Sequence, residues 1–224
     1  TNDVGGTWRE NQYPGAACDV QSHMYSLSFA PKTDWSKRYA EADEIFTYIQ
    51  DITEQYKLKD YCKFNHEVIH AQFDENRNVW TVEFKDQPTL EAQFVIFASG
   101  PLHVPQIPHI KGIEKFKGKV FHSSKWEHDY DLNGKSVASI GTGGSAIQYI
   151  PEIAPEVKQL YVFQRTAAWV IPRDERKYSQ LSKTLFKASN IYRQIHRTRL
   201  YWTNESRVVP IVPPQIMTYG QKLA

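Results

Sequence analysis

Ser136-Val137-Ala138-Ser139-Ile140 runs into Gly141-Thr142-Gly143-Gly144-Ser145-Ala146, and from there into Ile147-Gln148-Tyr149-Ile150. The first five residues are small or apolar and carry no charge, the pattern of a strand buried in a parallel sheet. The glycine cluster matches G-x-G-x-x-G/A, with Ala146 in the third place. From Gly141 onward the chain is expected to open a helix through Ile153. Val157–Gln164, centred on Leu160-Tyr161-Val162-Phe163, then supplies another strand. Strand, helix, strand is a βαβ unit, so the fold class read here is α/β with a parallel sheet. Each small residue has a physical reason. Gly141 permits the tight turn, Gly143 removes a side chain so that a pyrophosphate can approach the backbone, and Ala146 lets the helix pack on the strand. The helix N-terminus then offers free N–H groups and a positive dipole end to the phosphates. The competing reading is a glycine-rich turn inside an α/β core that binds nothing.

The end of the second strand indicates which nucleotide fits. An NAD site wants Asp or Glu roughly 20 residues after the first glycine, accepting from ribose hydroxyls. Here the strand ends Phe163-Gln164-Arg165-Thr166, with no carboxylate. Arg165 can fork onto a 2′-phosphate and Thr166 can donate a hydroxyl bond, which predicts NADP rather than NAD. The alternative is that Arg165 merely covers the sheet edge.

Upstream, Pro101, Pro105, Pro108, Gly112, Gly118 and Gly134 punctuate residues 101–135, a composition that suits a connector between folded units. Phe94-Val95-Ile96-Phe97-Ala98 reads as a fully buried strand ending at Ser99-Gly100. Trp80, Val82 and Phe84 alternate with polar residues as a half-buried strand, Asp74–Asn78 is a turn, and Lys63–Phe73 is extended. Ala42, Ile45, Phe46, Ile49, Ile52 and Tyr56 form one apolar stripe and predict a helix over 41–57. Residues 1–35 show no helical or strand period, but their aromatics Trp8, Tyr13, Tyr25, Phe29 and Trp35 argue against disorder. Between Arg173 and Arg207 there are nine Lys or Arg and three Asp or Glu. Leu181, Leu185, Ala188, Tyr192 and Ile195 keep a helical spacing there, so an amphipathic helix with a solvated basic face is expected.

Composition narrows the class. The chain has 224 residues, 41% hydrophobic and 23% charged, with 27 Lys and Arg against 25 Asp and Glu for a net +2. These values belong to a folded globular chain and give no general reason to expect nucleic acid or an acidic membrane as partner. No apolar run approaches the roughly 18 residues of a membrane span, so stable membrane insertion is not expected. Cys18 and Cys62 are too few for a disulfide scaffold and lack a metal spacing; no metal is expected, and they read as reduced thiols in a cytoplasmic protein. The chain opens on Thr1 and reads as an internal piece of something longer.

Just before the βαβ unit stand Phe116, Gly118, His122 and Trp126. Spacing alone gives them no chemistry, and unaided they read as a linker histidine and a core tryptophan. They fit F-x-G-x-x-x-H-x-x-x-W, and the chain resembles the Baeyer–Villiger monooxygenases, flavoproteins with two dinucleotide-binding domains. Other stretches carry the resemblance in order: Gly5-Gly6-Thr7-Trp8, Tyr13-Pro14-Gly15-Ala16, Cys18-Asp19, Ala98-Ser99-Gly100-Pro101-Leu102, Gly141 to Gln148, and Phe163 to Thr166 with Trp169 and Pro172-Arg173. The fingerprint usually continues with Pro or Asp, and here Glu127 follows Trp126. The sibling flavin-containing monooxygenases, which oxidise nitrogen and sulfur, resemble the chain too but generally lack the tryptophan.

The resemblance implies two Rossmann-like domains, both incomplete: part of an FAD domain over 1–105, a linker over 106–135, and part of an NADP domain over 136–224 with a helical insertion from about 178. It makes Gly6, Thr7 and Trp8 flavin contacts, Asp19 the active-site aspartate beside the flavin, Tyr25 a flavin neighbour, and Val68 a contact at the adenine end. On the nicotinamide side it selects Gly141, Thr142, Gly143, Ser145 and Gln148 for the phosphates and Arg165 with Thr166 for the 2′-phosphate. His122 and Trp126 are expected to tie the linker. The family's first glycine motif and its active-site arginine are expected outside the chain. The implied reaction uses NADPH, FAD and O2 to insert oxygen beside a ketone carbonyl, giving an ester or lactone. Oxidation of a nitrogen or sulfur substrate, or a non-catalytic piece that binds NADP weakly, are the alternatives.

Overall fold

The computed structural model describes residues 1–100, 104–167 and 173–208, without the side chains of 207 and 208. Pro101, Leu102, Trp169 and Pro172, named above, lie outside the described residues. Helix α1 spans Thr7–Glu10 and α2 spans Ala42–Gln55. The second forms where the apolar stripe predicts it, burying Ala42, Ile45, Tyr48 and Ile52, with Asp43 and Glu44 in the first turn complementing the helix dipole. Tyr56, expected on the same stripe, lies past the helix end and is exposed.

The chain divides into two compact units, each drawn from both sides of the expected linker. The first holds Thr1–Ala16 and Ile45–Ala168. Its strands β1 (Val68–Asp74), β2 (Val79–Phe84) and β3 (Gln87–Ala92) form an antiparallel meander. Asp74 accepts from the N–H groups of Asn76 (2.9 Å) and Arg77 (3.2 Å), the local bond that makes the β1–β2 turn. Phe73 lies opposite Trp80, with ring centroids 5.4 Å apart. The extended stretch expected from Lys63 is a strand only from Val68.

The βαβ unit forms where it was read, but its first strand is not buried: Ser136, Ala138 and Ile140 are exposed and only Ser139 is buried, because that strand is covered by few neighbours among the described residues. Strand β4 (Ser136–Ile140) pairs in parallel with β5 (Gln159–Phe163), and helix α3 (Ala146–Ile153) lies between them in sequence. Ala146 and Ile153 are buried, as the small third position requires. Phe94–Ala98 overturns its expectation. It is not a strand, and Phe94, Ile96 and Phe97 are 84%, 89% and 70% exposed. A parallel strand needs neighbours to take its N–H and C=O groups, and among the described residues β4 and β5 pair only with each other.

The second unit holds Ala17–Glu44 and Trp169–Ala224. It contains α4 (Gln180–Ala188) and α5 (Asn190–Val208), and its core is built on Trp35, Tyr39, Ala40, Phe186 and Leu200. Polar bonds join its two segments. Gln21 and Asn204 exchange a reciprocal amide pair at 3.0 and 2.9 Å, Arg197 donates to the carbonyl of His23, and Arg38 pairs with Asp174. The predicted amphipathic stripe faces the other way. Leu181 and Ile195 are 70% and 63% exposed, whereas Phe186 and Leu200 point inward. The chain breaks at Ser189 into two helices, which shifts the angular register of the spacing that linked Leu185 to Tyr192.

His23 is buried among Phe186, Tyr178 and His196, with ring centroids 4.2, 5.0 and 5.1 Å away. Burial, then the charges of His196, Arg197 and Arg193, push its imidazole down to about 3. The folded state therefore holds it neutral where an unfolded chain binds a proton, at about pH 6.5. Unfolding gains that proton as pH falls below about 6.5, so stability is lost progressively toward pH 3 at up to about 1.4 kcal/mol per unit. In His23→Phe, denaturant titrations between pH 7 and 5 are expected to show a slope smaller by about one proton.

Candidate functional site

The site grows from the C-terminal ends of the two parallel strands. Ile140 and Phe163 are register partners, and Gly141 N–H donates to the Phe163 carbonyl at 2.8 Å, so the glycine turn is tied to the end of β5. Gly141 has φ +105°, a conformation that side-chain-bearing residues rarely adopt. Beyond it, the carbonyls of Gly143 and Ser145 accept from Ile147 (3.1 Å) and Tyr149 (3.0 Å), so helical bonding reaches back into the motif. Among the described residues, no protein acceptor takes the backbone N–H of Gly143, Gly144 or Ser145. Ser145 makes no side-chain capping bond.

The turn is open. A Cβ built at Gly141, Gly143 or Gly144 meets no atom within 4 Å. Free amide donors at a helix N-terminus, beside empty space where side chains have been removed, make an anion cradle. Arg165 and Thr166 follow directly on β5, exposed, so the guanidinium is carried by the strand end next to that turn. Among the described residues Arg165 has no ion-pair partner.

The linker fingerprint is built around this turn. His122 caps the short 3-10 turn Ser123–Lys125, its Nδ1 accepting from Ser124 N–H at 3.1 Å. Trp126 is half-buried between Phe121 (5.2 Å) and Tyr149 of α3 (5.3 Å). Tyr149 and the buried Ser139 of β4 bring their hydroxyls to 2.7 Å. The tryptophan thus braces the helix that presents the cradle. Lys119 pairs with Glu127 at 2.5 Å. The ring of exposed Phe116 lies over Gly118, where an added Cβ would come within 2.5 Å of it. Lys125 reaches Glu10 of α1 at 3.3 Å, and the Arg9 hydrogen bond holds the Glu10 carboxyl below its usual range.

The other predicted residues divide between the units. Gly6 and Thr7 are exposed and Trp8 half-buried at the start of α1, in the first unit. Gly6 has nothing within 4 Å of an added Cβ. Val68 opens β1 and is 52% exposed. Asp19 is exposed and Tyr25 is 39% exposed, both in the second unit. Neighbouring Cys18 is buried, which pushes its thiol up to about 11 and keeps it inert. Among the described residues no cluster of His, Cys, Asp and Glu could hold a metal ion, and no helix is long and apolar enough to cross a membrane.

Sequence reasoning missed the aromatic bracing of α3. It also missed Tyr13, whose hydroxyl donates to Gln148 Oε1 at 3.0 Å. No spacing rule links residues 135 positions apart. Only the tyrosine beside Pro14-Gly15, a turn pair of the kind that presents a neighbouring side chain, hinted at it.

A family model described as flavin-binding monooxygenase-like matches residues 1–207. A Baeyer-Villiger monooxygenase of Pseudomonas aeruginosa is 42% identical over 222 residues, covering 99% of this chain and 42% of the relative. Another, from Streptomyces coelicolor, is 44% identical over 205 residues, covering 92% of this chain and 39% of the relative. Among solved structures, an oxidized steroid monooxygenase bound to NADP superposes with TM-score 0.77 at 39% identity, over 83% of this chain and 36% of that one. Cyclohexanone monooxygenase from Rhodococcus sp. Phi1, bound to NADP+, gives 0.76 at 32% identity, over 84% and 36%. The chain therefore spans about two fifths of the length of the curated relatives it matches. A strand–glycine cradle–helix unit braced by the fingerprint tryptophan, together with a family match over nearly the whole chain, leads to one assignment: this chain belongs to the flavin-binding monooxygenase-like family.

Proposed function

We propose that this chain forms part of an NADPH- and FAD-dependent Baeyer–Villiger monooxygenase that converts a ketone and O2 to an ester or lactone. The observation that carries the reading is the open cradle at Gly143 with Arg165 at the adjoining strand end. The relatives named Baeyer-Villiger monooxygenase, and the solved relatives bound to NADP, support it.

Residues 136–224 would then belong to the NADP domain and 1–105 to the FAD domain. Backbone donors of Gly143, Gly144 and Ser145 would hold the pyrophosphate, which suits free N–H groups beside open space. Thr142 and Gln148 would flank it, and Arg165 with Thr166 would take the 2′-phosphate. Gly6, Thr7 and Trp8 would line the flavin, where open space over Gly6 suits a flat ring system close to the backbone. Tyr25 and Val68 would meet other parts of the same cofactor. Asp19 would orient a cation rather than attack substrate, since an exposed carboxylate is a ready acceptor for a guanidinium. Bound FAD, once reduced by the nicotinamide, supplies the activation of dioxygen that no side chain can. The two free thiols, Cys18 and Cys62, suit a reducing cytoplasmic compartment.

The test is turnover by the intact enzyme with NADPH under air. A cyclic ketone is expected to give a lactone faster than a thioether gives a sulfoxide, read by gas chromatography. Sulfoxidation with no lactone would transfer the assignment to the nitrogen- and sulfur-oxidising branch of the family.

A further inference from the structure

Three features tie residues 13–15 to the first turn of α3, all within one compact unit. The Tyr13 hydroxyl donates to Gln148 Oε1 at 3.0 Å. The Tyr13 ring meets Tyr149 edge-on, with centroids 6.2 Å apart. Gly15, at φ +73°, approaches so closely that an added Cβ would lie 2.9 Å from the Gln148 carbonyl oxygen and 2.8 Å from Glu152 Cγ. That carbonyl belongs to the helix backbone and cannot swing away, so the segment is pressed against the helix at Gln148.

We infer that Tyr13 is a positioning residue for the nicotinamide cofactor: its hydroxyl orients the Gln148 carboxamide so that the amide presents its N–H end, not its oxygen, toward a bound phosphate. The inference rests on the proposed phosphate site. A primary amide has one acceptor end and one donor end, and only the donor end attracts an anion. An O–H bond to Oε1 selects between the two rotamers that interchange them. Without it, nothing in the Tyr13 contact favours the donor end, and the amide oxygen can turn toward the phosphate, where it repels. Tyr13 lies five residues after Trp8 and six before Asp19 in the sequence, so the proposed nicotinamide site would be braced by the same stretch of chain that carries the proposed flavin contacts.

The test is a double-mutant cycle in the intact enzyme, reading NADP+ affinity by calorimetry. Tyr13→Phe removes the hydroxyl and keeps the ring contact with Tyr149, so flavin content and melting temperature are expected to stay at wild-type values. The NADP+ Kd is expected to rise about fivefold, the effect of one neutral hydrogen bond, while kcat at saturating NADPH is unchanged. In a Gln148→Met background the same substitution is expected to do nothing, because the amide it orients is gone. Equal weakening in both backgrounds, or an unchanged Kd in Tyr13→Phe, would overturn the role of Tyr13 and leave the phosphate site standing. Wild-type enzyme that fails to bind NADP+ would instead overturn the site, and this inference with it.

Discussion

Gly143→Val is expected to leave the fold intact and to remove NADPH binding. Most glycines in tight turns cannot be tested in this way, because a side chain breaks the turn before it reaches the ligand. Gly143 differs from Gly141 here. Its φ lies outside the left-handed range, and a Cβ built on it meets nothing within 4 Å, so the backbone and its neighbours accept a side chain branching from that point. The side chain enters the space that a pyrophosphate must occupy to reach the amides of Gly143, Gly144 and Ser145. Losing two charge-assisted bonds at 1.5–3 kcal/mol each corresponds to roughly a hundredfold or more in Kd. Calorimetric titration with NADPH checks the affinity, and thermal unfolding with flavin absorbance checks the fold. A folded variant with unchanged affinity would mean that the phosphates bind elsewhere.

Arg165→Ala is expected to erase the preference for the phosphorylated cofactor. Arg165 is exposed, stands two residues past the end of β5, and has no ion-pair partner among the described residues, so its removal should cost little stability. A guanidinium gripping a 2′-phosphate in bidentate fashion makes two charge-assisted bonds, together about 3 kcal/mol, or roughly a hundredfold in affinity. NADH lacks that phosphate, so its kcat/KM should stay near the wild-type value while that for NADPH falls toward it. Steady-state kinetics with both cofactors reads the difference. A fall shared equally by NADPH and NADH would assign Arg165 to the fold and not to cofactor choice.

The parts of the molecule that were legible share one property: their signal is local. The βαβ unit was readable because Ser136–Ile140, the glycine motif and Leu160–Phe163 lie within about one supersecondary unit, and each piece specifies its own conformation. Helix α2 was readable because a 3.6-residue period needs no partner to be recognised. Arg165 was found by its fixed distance in sequence from Gly141. The misreadings were of residues whose state depends on what lies against them. Phe94–Ala98 has the composition of a buried strand, but a strand is completed only by its neighbours. Leu181, Leu185, Tyr192 and Ile195 keep a helical spacing, but the break at Ser189 divides it between two helices, and on both of them the stripe is exposed while Phe186 and Leu200 are buried.

From residue order alone came the identity of the cradle, its place between strand and helix, and the cation that stands where NAD would demand an acid. These follow from steric and electrostatic rules acting over a few residues: a left-handed backbone at Gly141 that favours glycine, bare backbone where a proposed phosphate would approach, and a positive charge where a proposed 2′-phosphate would need one. The bracing of that cradle came only from the folded chain. Trp126 against Tyr149, Tyr149 against Ser139, and Tyr13 against Gln148 join residues that are 10 to 135 positions apart. Packing of this kind satisfies hydrogen bonds and fills space in three dimensions, and no one-dimensional period encodes which side chains will meet.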